Sequence, residues 1–263
     1  MKRRLTLSIG ALLVATTLSS CGSTGSNDVV ATVDGHELTV DQLEALADST
    51  TGTDVRSALT AWTQIAAVSD DIGEVNSAAD LDAARDRALT ELLEEVGDKG
   101  RADYEQGLAG SPYLCLAAIT LGTETLGADV VAELQAGTTF AEAAEKYSTT
   151  EVLASSGGVL ANSSGATCLD TATFEQSFPG IITVLNDAQA TVGSPVVVSD
   201  ASGELVLLLR GWDELTIDEQ RVLSQLELGE ALTVHIDEAD VSIHPRYGLW
   251  DREARAVVAT SEG

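Results

Sequence analysis

Basic residues are scarce in this chain: Lys and Arg number 14 against 42 Asp and Glu, a formal net charge of −28. A surface so acidic repels the phosphate backbone of nucleic acid, which is excluded as a partner. It also gains nothing from anionic lipid headgroups. Two readings of the acidity fit: a solvated surface that keeps the protein soluble, or a surface for basic unfolded clients. Histidine is almost absent, with only His36, His235 and His244. His36 adjoins a turn, His235 and His244 sit on separate strand-like segments, and no Cys or carboxylate lies at metal-site spacing from them. The chain lacks a Gly-x-Ser-x-Gly elbow, a P-loop and a dinucleotide fingerprint, so neither a metal nor another cofactor is expected. Aromatic residues make up only 4%. Trp62, Trp212 and Trp250 are read as core or domain-junction packing, not as a ligand cage.

Long apolar runs are missing too. The stretch from Leu5 to Thr17 is too short for a hydrocarbon core about 30 Å thick. Preceded by Met-Lys-Arg-Arg and followed by Leu18-Ser19-Ser20-Cys21, it reads as a secretory signal over residues 1–20. The Leu-Ser-Ser-Cys ending resembles the lipobox of bacterial lipoproteins. That resemblance implies acylation of Cys21, a mature N-terminus there, and anchoring to the outer face of the cell membrane through acyl chains alone. The alternative is an ordinary secreted protein cut nearby. Residues 21–27 then form the acylated Cys and a small polar tether. With Cys21 lipidated, Cys115 and Cys168 remain in an oxidising compartment, as a disulfide or as two separate buried thiols. A bridge closing that loop would contribute about 4 kcal/mol by chain entropy.

The folded part starts near Asp28, and 44% apolar residues overall suffice for a globular core. Val29 to Thr39 reads as two short strands around the Asp34-Gly35 turn, with Thr39 capping a helix that begins at Val40. From Val55 to Leu108, apolar residues such as Leu59, Trp62, Ile65, Leu81, Ala84 and Leu92 recur at helical spacing. Two or three helices are expected, with Gly97-Asp-Lys-Gly100 breaking the pattern and Gly107 to Pro112 as a linker. Beyond it come a buried strand from Leu114 to Leu121, a helix from Leu126 to Ala136, and a short helix from Phe140 to Tyr147. A long polar loop leads from Ser155 to Cys168, followed by a helix around Phe174 to Phe178. Strands are then read at Val192 to Val197 and Gly203 to Arg210, and one helix from Leu215 to Leu228.

The stretch from Leu134 to Ser148 with Gly157-Gly158, the Phe174 to Phe178 helix, the Gly193-Ser194-Pro195-Val196 strand and the final Gly203 strand together resemble the parvulin family of peptidyl-prolyl isomerases, over about 100 residues. The hairpin-and-helix start and the ending Ala239 to Asp251 resemble the chaperone domain of extracytoplasmic foldases of the SurA and PrsA type. The resemblance implies an α+β architecture. A helical chaperone domain from residues 28–109, with the C-terminal segment 213–255 packed back on it, would flank a parvulin-like domain over 113–212. That domain would carry a four-stranded antiparallel sheet with packed helices, and 256–263 would be a tail. The family's site carries two facing histidines and a Cys or Asp. The matching positions here hold Ala118, Leu205 and Thr150, so all three polar members are replaced. Phe174, Phe178, Cys168 and Ile119 are the pocket residues the resemblance implies.

Three functions follow as expectations. The first is a lipid-anchored extracytoplasmic chaperone for unfolded or nascent secreted polypeptides, its isomerase site degenerate. The second is an isomerase working with an atypical site, because position alone can twist an amide. The third is an envelope protein that keeps the fold as a scaffold for one partner.

Overall fold

The computed structural model describes residues 28–49, 54–200 and 203–260. The leader, the tether and Cys21 lie outside them. Strands β1 (Val29–Val33) and β2 (His36–Thr39) pair antiparallel around Asp34-Gly35. Both turn residues have positive φ, 48° and 92°, as a two-residue hairpin turn requires. Thr39 closes β2 and opens helix α1 (Val40–Ser49): its N–H donates to Gln42 Oε1 at 3.0 Å, and the Gln42 N–H returns to its hydroxyl. The Asp54 side chain caps α2 (Val55–Ala66) by accepting the Ser57 N–H, and the Ser77 hydroxyl caps α3 (Ala78–Glu105) by accepting the Asp80 N–H.

The apolar stripes of α1 to α3 bury Leu46, Leu59, Trp62 and Ala84 against Val33 and Leu38 of the hairpin. The first and last described segments meet in this core, since Ile236, Ala239 and Val257 belong to it. Strand β7 (Val241–Ile243) pairs with β1, giving the order β2-β1-β7. A second hairpin of β8 (Leu249–Asp251) and β9 (Ala256–Val258) lays Val257 on α2, where its N–H donates to Thr60 Oγ1. Ala256–Val258, within the segment read from the sequence as a tail, is therefore strand. Trp250 packs on the same core.

The middle of the chain forms a four-stranded antiparallel sheet of β3 (Tyr113–Thr120), β4 (Cys168–Asp170), β5 (Val196–Asp200) and β6 (Gly203–Leu209), in the order β4-β3-β6-β5. One face packs on α4 (Gly127–Gln135) and α5 (Phe140–Tyr147). The other packs on α7 (Thr171–Ser177) and α8 (Ile181–Asp187), with Leu153 of the short α6 (Glu151–Ser155) beside them. The fold is α+β, as the sequence indicated. Strand β5 starts four residues later than read, because Ser194 N–H bonds Thr191 O in a turn whose Gly193 has φ +75°.

Two helix readings are corrected by packing. Gly97 and Gly100 do not break α3, which runs for 28 residues through both. Gly100 is there for close approach: a Cβ at this position would collide with the Ser224 hydroxyl and lie 2.9 Å from its Cβ. The segment Leu215 to Leu228, read as one helix, is α9 (Ile217–Leu223) and α10 (Gln225–Glu238). Fully buried Ser224 sits at the kink, against that glycine. His235 belongs to α10, not to a strand, and its Nε2 lies 2.9 Å from Glu95 of α3.

Sheet and helices are joined by a buried ion pair. Arg210, just after β6, places its guanidinium on both carboxylate oxygens of Glu219 in α9. Glu219 also accepts from the Thr167 hydroxyl and from the N–H of Thr216, whose own hydroxyl caps α9. The Arg210 backbone is held as well: its N–H donates to Cys115 O, and its carbonyl accepts from the Tyr104 hydroxyl at 2.7 Å. Burial pushes the Tyr104 phenol well above its usual pKa. Burial pushes the Glu219 carboxyl up, but hydrogen bonds from Arg210, Thr167 and Thr216 outweigh it and hold its pKa at about 2. Among the described residues no helix is long and apolar enough to cross a membrane.

Two outcomes follow. Gly100→Ala should destabilise the fold by about 1–3 kcal/mol through overpacking, whereas Gly97→Ala, whose Cβ would meet Leu93 at an ordinary 3.8 Å, should stabilise it by about 0.5–1 kcal/mol. Urea unfolding of both variants checks the contrast. Because the Glu219 pKa falls on folding, its contribution is complete above about pH 4.5 and is lost as pH drops toward 2. Wild type should lose about 2 kcal/mol in that window that an Arg210→Met/Glu219→Leu double variant does not lose, read by unfolding at stepped pH.

Candidate functional site

Alternation along β3 decides what this site contains. Leu114, Leu116 and Ala118 point to the α7–α8 face, and Cys115, Ile119 and Leu121 to the other. On the first face an apolar cleft of ≈ 560 Å³ opens over the sheet, a volume in the range of small-ligand and side-chain pockets. Its floor is Ala118, Leu205 and Leu207, and β5 adds Val198 and Ser199. Register puts Ala118 opposite Leu207, and Leu205 between Thr120 and Val198. Phe178, Pro179, Ile181 and Val184 form one wall, and Leu153 and Leu160 the opposite one.

The wall at α8 is built by backbone. Phe178 N–H donates to Phe174 O at the end of α7, and Gly180 then takes φ +87° to turn the chain into α8. The Glu175 carboxylate accepts the Gly180 N–H at 2.7 Å and faces the Ile182 N–H. The opposite wall is pinned by Gly158, whose carbonyl accepts the Ala118 N–H at 2.7 Å. Gly158 has φ +85°, and a Cβ there would lie 2.8 Å from the Phe140 ring and 3.0 Å from Ala118 O. The Gly157-Gly158 pair is thus the place where the α6 loop lies down on β3.

One polar feature reaches the cleft. Thr120 Oγ1 donates to Thr150 Oγ1 at 2.9 Å, lies 2.9 Å from Ser148 Oγ, and accepts from Thr150 N–H and the Thr149 hydroxyl. Ser177 and Ser199 add two more hydroxyls to the lining. No side chain lining the cleft is a carboxylate, imidazole, thiol, phenol or amine. The arrangement can exclude water from an apolar group and offer hydroxyls to a carbonyl, and the described residues of its lining include no general acid or base.

The residues singled out from the sequence separate accordingly. Ala118 and Leu205 share the floor, and Phe178 lines the wall. Thr150 stands at the N-cap position of α6 without a side-chain capping bond and reaches the cleft through Thr120. Phe174 is fully buried behind Phe178, with ring centroids 6.1 Å apart, and so backs the wall without lining it. Ile119 faces α4 and α5. Cys168 is also outside the cleft: it pairs in register with Cys115 and is disulfide-bonded to it, on the face that packs Tyr104 and Trp212. Both residues lie on the wrong side of the sheet by the strand's period of two. Sequence reasoning missed Ile181, Val184, Val198 and Leu160. The apolar run Ile181-Ile182 after Pro179-Gly180 was the one available signal.

No protein-family model matches this chain, and no curated protein matches it. Among solved structures it is similar to the PrsA peptidylprolyl isomerase of Bacillus anthracis, at 14% identity over 61% of this chain and 73% of that one, with a TM-score of 0.30. It is also similar to foldase protein PrsA of Streptococcus pneumoniae, at 21% identity over 57% and 56%, TM-score 0.31. PrsA of Bacillus subtilis is matched at 18% identity over 88% and 98%, TM-score 0.30. At such identities and TM-scores the site has to be read from its own geometry.

Gly158→Ala should cost about 2 kcal/mol or more, from left-handed strain plus contact with Ala118 O and Phe140. Gly137→Ala, at φ +106° but in open space, should lose only the strain, about 1 kcal/mol. Thermal unfolding of the pair measures the difference.

Proposed function

We propose that this chain is a lipid-anchored extracytoplasmic folding factor that holds apolar, proline-containing segments of unfolded secreted polypeptides, and that its isomerase-like domain does not catalyse. On this reading Cys21 carries the acyl anchor, residues 113–212 form the isomerase-like domain, and residues 28–109 with 213–255 form the helical domain. The observation that carries the reading is the cleft: open, apolar, and floored by Ala118 and Leu205 where the parvulin resemblance calls for histidines. Burial of one proline or leucine side chain there supplies about 1.5–3 kcal/mol, enough for weak, reversible holding of an extended chain. Rotation about a prolyl bond faces a barrier near 20 kcal/mol set by amide resonance. A cleft that only buries the ring has few groups with which to lower it.

A second reading is favoured by one feature. The Thr120 hydroxyl, placed by Ser148 and Thr150, could turn its proton from Thr150 Oγ1 to a prolyl carbonyl as the bond twists, making the protein an isomerase with an atypical site. One experiment separates the two. The purified protein is assayed for prolyl isomerisation of a tetrapeptide, and in parallel for suppression of aggregation of a denatured client. The expected result is a rate at background together with suppression, and suppression should be lost in Ile181→Asp. A rate well above background that drops in Thr120→Val would replace the first reading with the second.

A further inference from the structure

The cleft lies in a domain almost without cations. Residues 113–212 hold eleven Asp and Glu against two basic residues, Lys146 and Arg210. Both cations are engaged: Lys146 is bound to Glu133, and Arg210 is buried on Glu219. Nothing basic remains to neutralise the field that a ligand in the cleft would feel.

Three carboxylates gather in a groove on one side of the cleft. Helix α6 is the wall between the cleft and a second groove, against α5, of ≈ 560 Å³. Leu153 of α6 faces the cleft, while Glu151 and Ala154 face the groove, where Glu142 and Glu145 of α5 join them. Glu142 is committed to the Thr139 cap; no Lys or Arg among the described residues pairs with Glu145 or Glu151. The crest between cleft and groove is Val152, 72% exposed. An extended chain leaving the cleft over α6 therefore crosses one apolar crest and arrives between carboxylates.

We propose that the cleft selects segments in which an apolar or prolyl residue is followed or preceded, about three or four positions away, by Lys or Arg. This rests on the cleft reading above and adds the chemistry of the flanking residue. The spacing comes from the width of the crest: a helix is about 10 Å across with its side chains, and an extended chain covers about 3.3 Å per residue. The apolar group supplies burial, and the cation supplies charge complementarity, which sets choice among partners more than total affinity.

The test uses the purified full chain and three fluorescein-labelled twelve-residue peptides with one Leu-Pro-Phe core. The peptides differ only in carrying Lys, Gln or Glu four positions beyond the proline. By fluorescence anisotropy at low salt, the Lys peptide should bind about fivefold tighter than the Gln peptide and the Glu peptide correspondingly weaker, and the ranking should collapse in about 0.5 M NaCl. Glu145→Gln/Glu151→Gln should remove most of the preference while leaving the Gln peptide's affinity unchanged, which also reports an intact cleft. Ile181→Asp should weaken all three peptides alike. Equal affinity for the three peptides in wild type, at low salt, would overturn the proposal and leave the cleft reading standing. No binding by any peptide, the Gln one included, would overturn both.

Discussion

The structure turns on Arg210 and Glu219. A bidentate guanidinium–carboxylate pair, both partners about nine-tenths buried, joins the end of β6 to the start of α9 and gathers Thr167, Thr216 and Tyr104 around it. Two desolvated charges stay ionised inside a protein only when every other lone pair and N–H is satisfied, and here nearly all are. The pair therefore fixes where the central sheet stands on the long helix α3. The disulfide between Cys115 and Cys168 adds a covalent tie on the same face, beside Tyr104 and Trp212. Together they make one side of the sheet rigid and closed.

The opposite side is left open, and that asymmetry gives the molecule its cleft. α7 and α8 cover only part of the face. The Phe178-Pro179-Gly180 turn, held by Glu175, forms the wall of the cleft at α8. The floor is made of residues that can neither donate nor accept protons. A site of this kind can sort segments by shape, apolarity and the charge of their surroundings. Chemistry at an amide would have to come from the hydroxyls around Thr120.

Much of the framework was legible in the sequence, because it is written in local signals. Asp34-Gly35 specified the hairpin, Thr39 the start of α1, and the stretch Phe140 to Tyr147 was legible as the helix α5. The apolar runs Leu114 to Leu121 and Leu205 to Leu209 marked the two central strands. Errors came where a residue's reason is a distant neighbour. Gly100 resembles a helix breaker until Ser224 is seen lying on it. Ser224 looks like an ordinary helix position until that contact forces the kink between α9 and α10. The site was half legible for the same reason. Ala118, Leu205 and Phe178 are together, but Ile119 and Cys168 fall on the far face by strand alternation, and Ile181, Val184 and Val198 join the cleft from elements distant in sequence.

The sequence by itself determined the α+β class, the helix caps and turns, the strongly acidic surface and the absence of histidine from the middle of the chain. These are properties of composition, or of contacts within about four residues. Only the tertiary structure decided which face of β3 is open, that Cys115 and Cys168 tie the closed face, and that an apolar cleft and an acidic groove share the single turn of α6 as their wall. Those outcomes depend on pairing register and on long-range packing, where one residue of slip moves every side chain to the opposite face of a sheet.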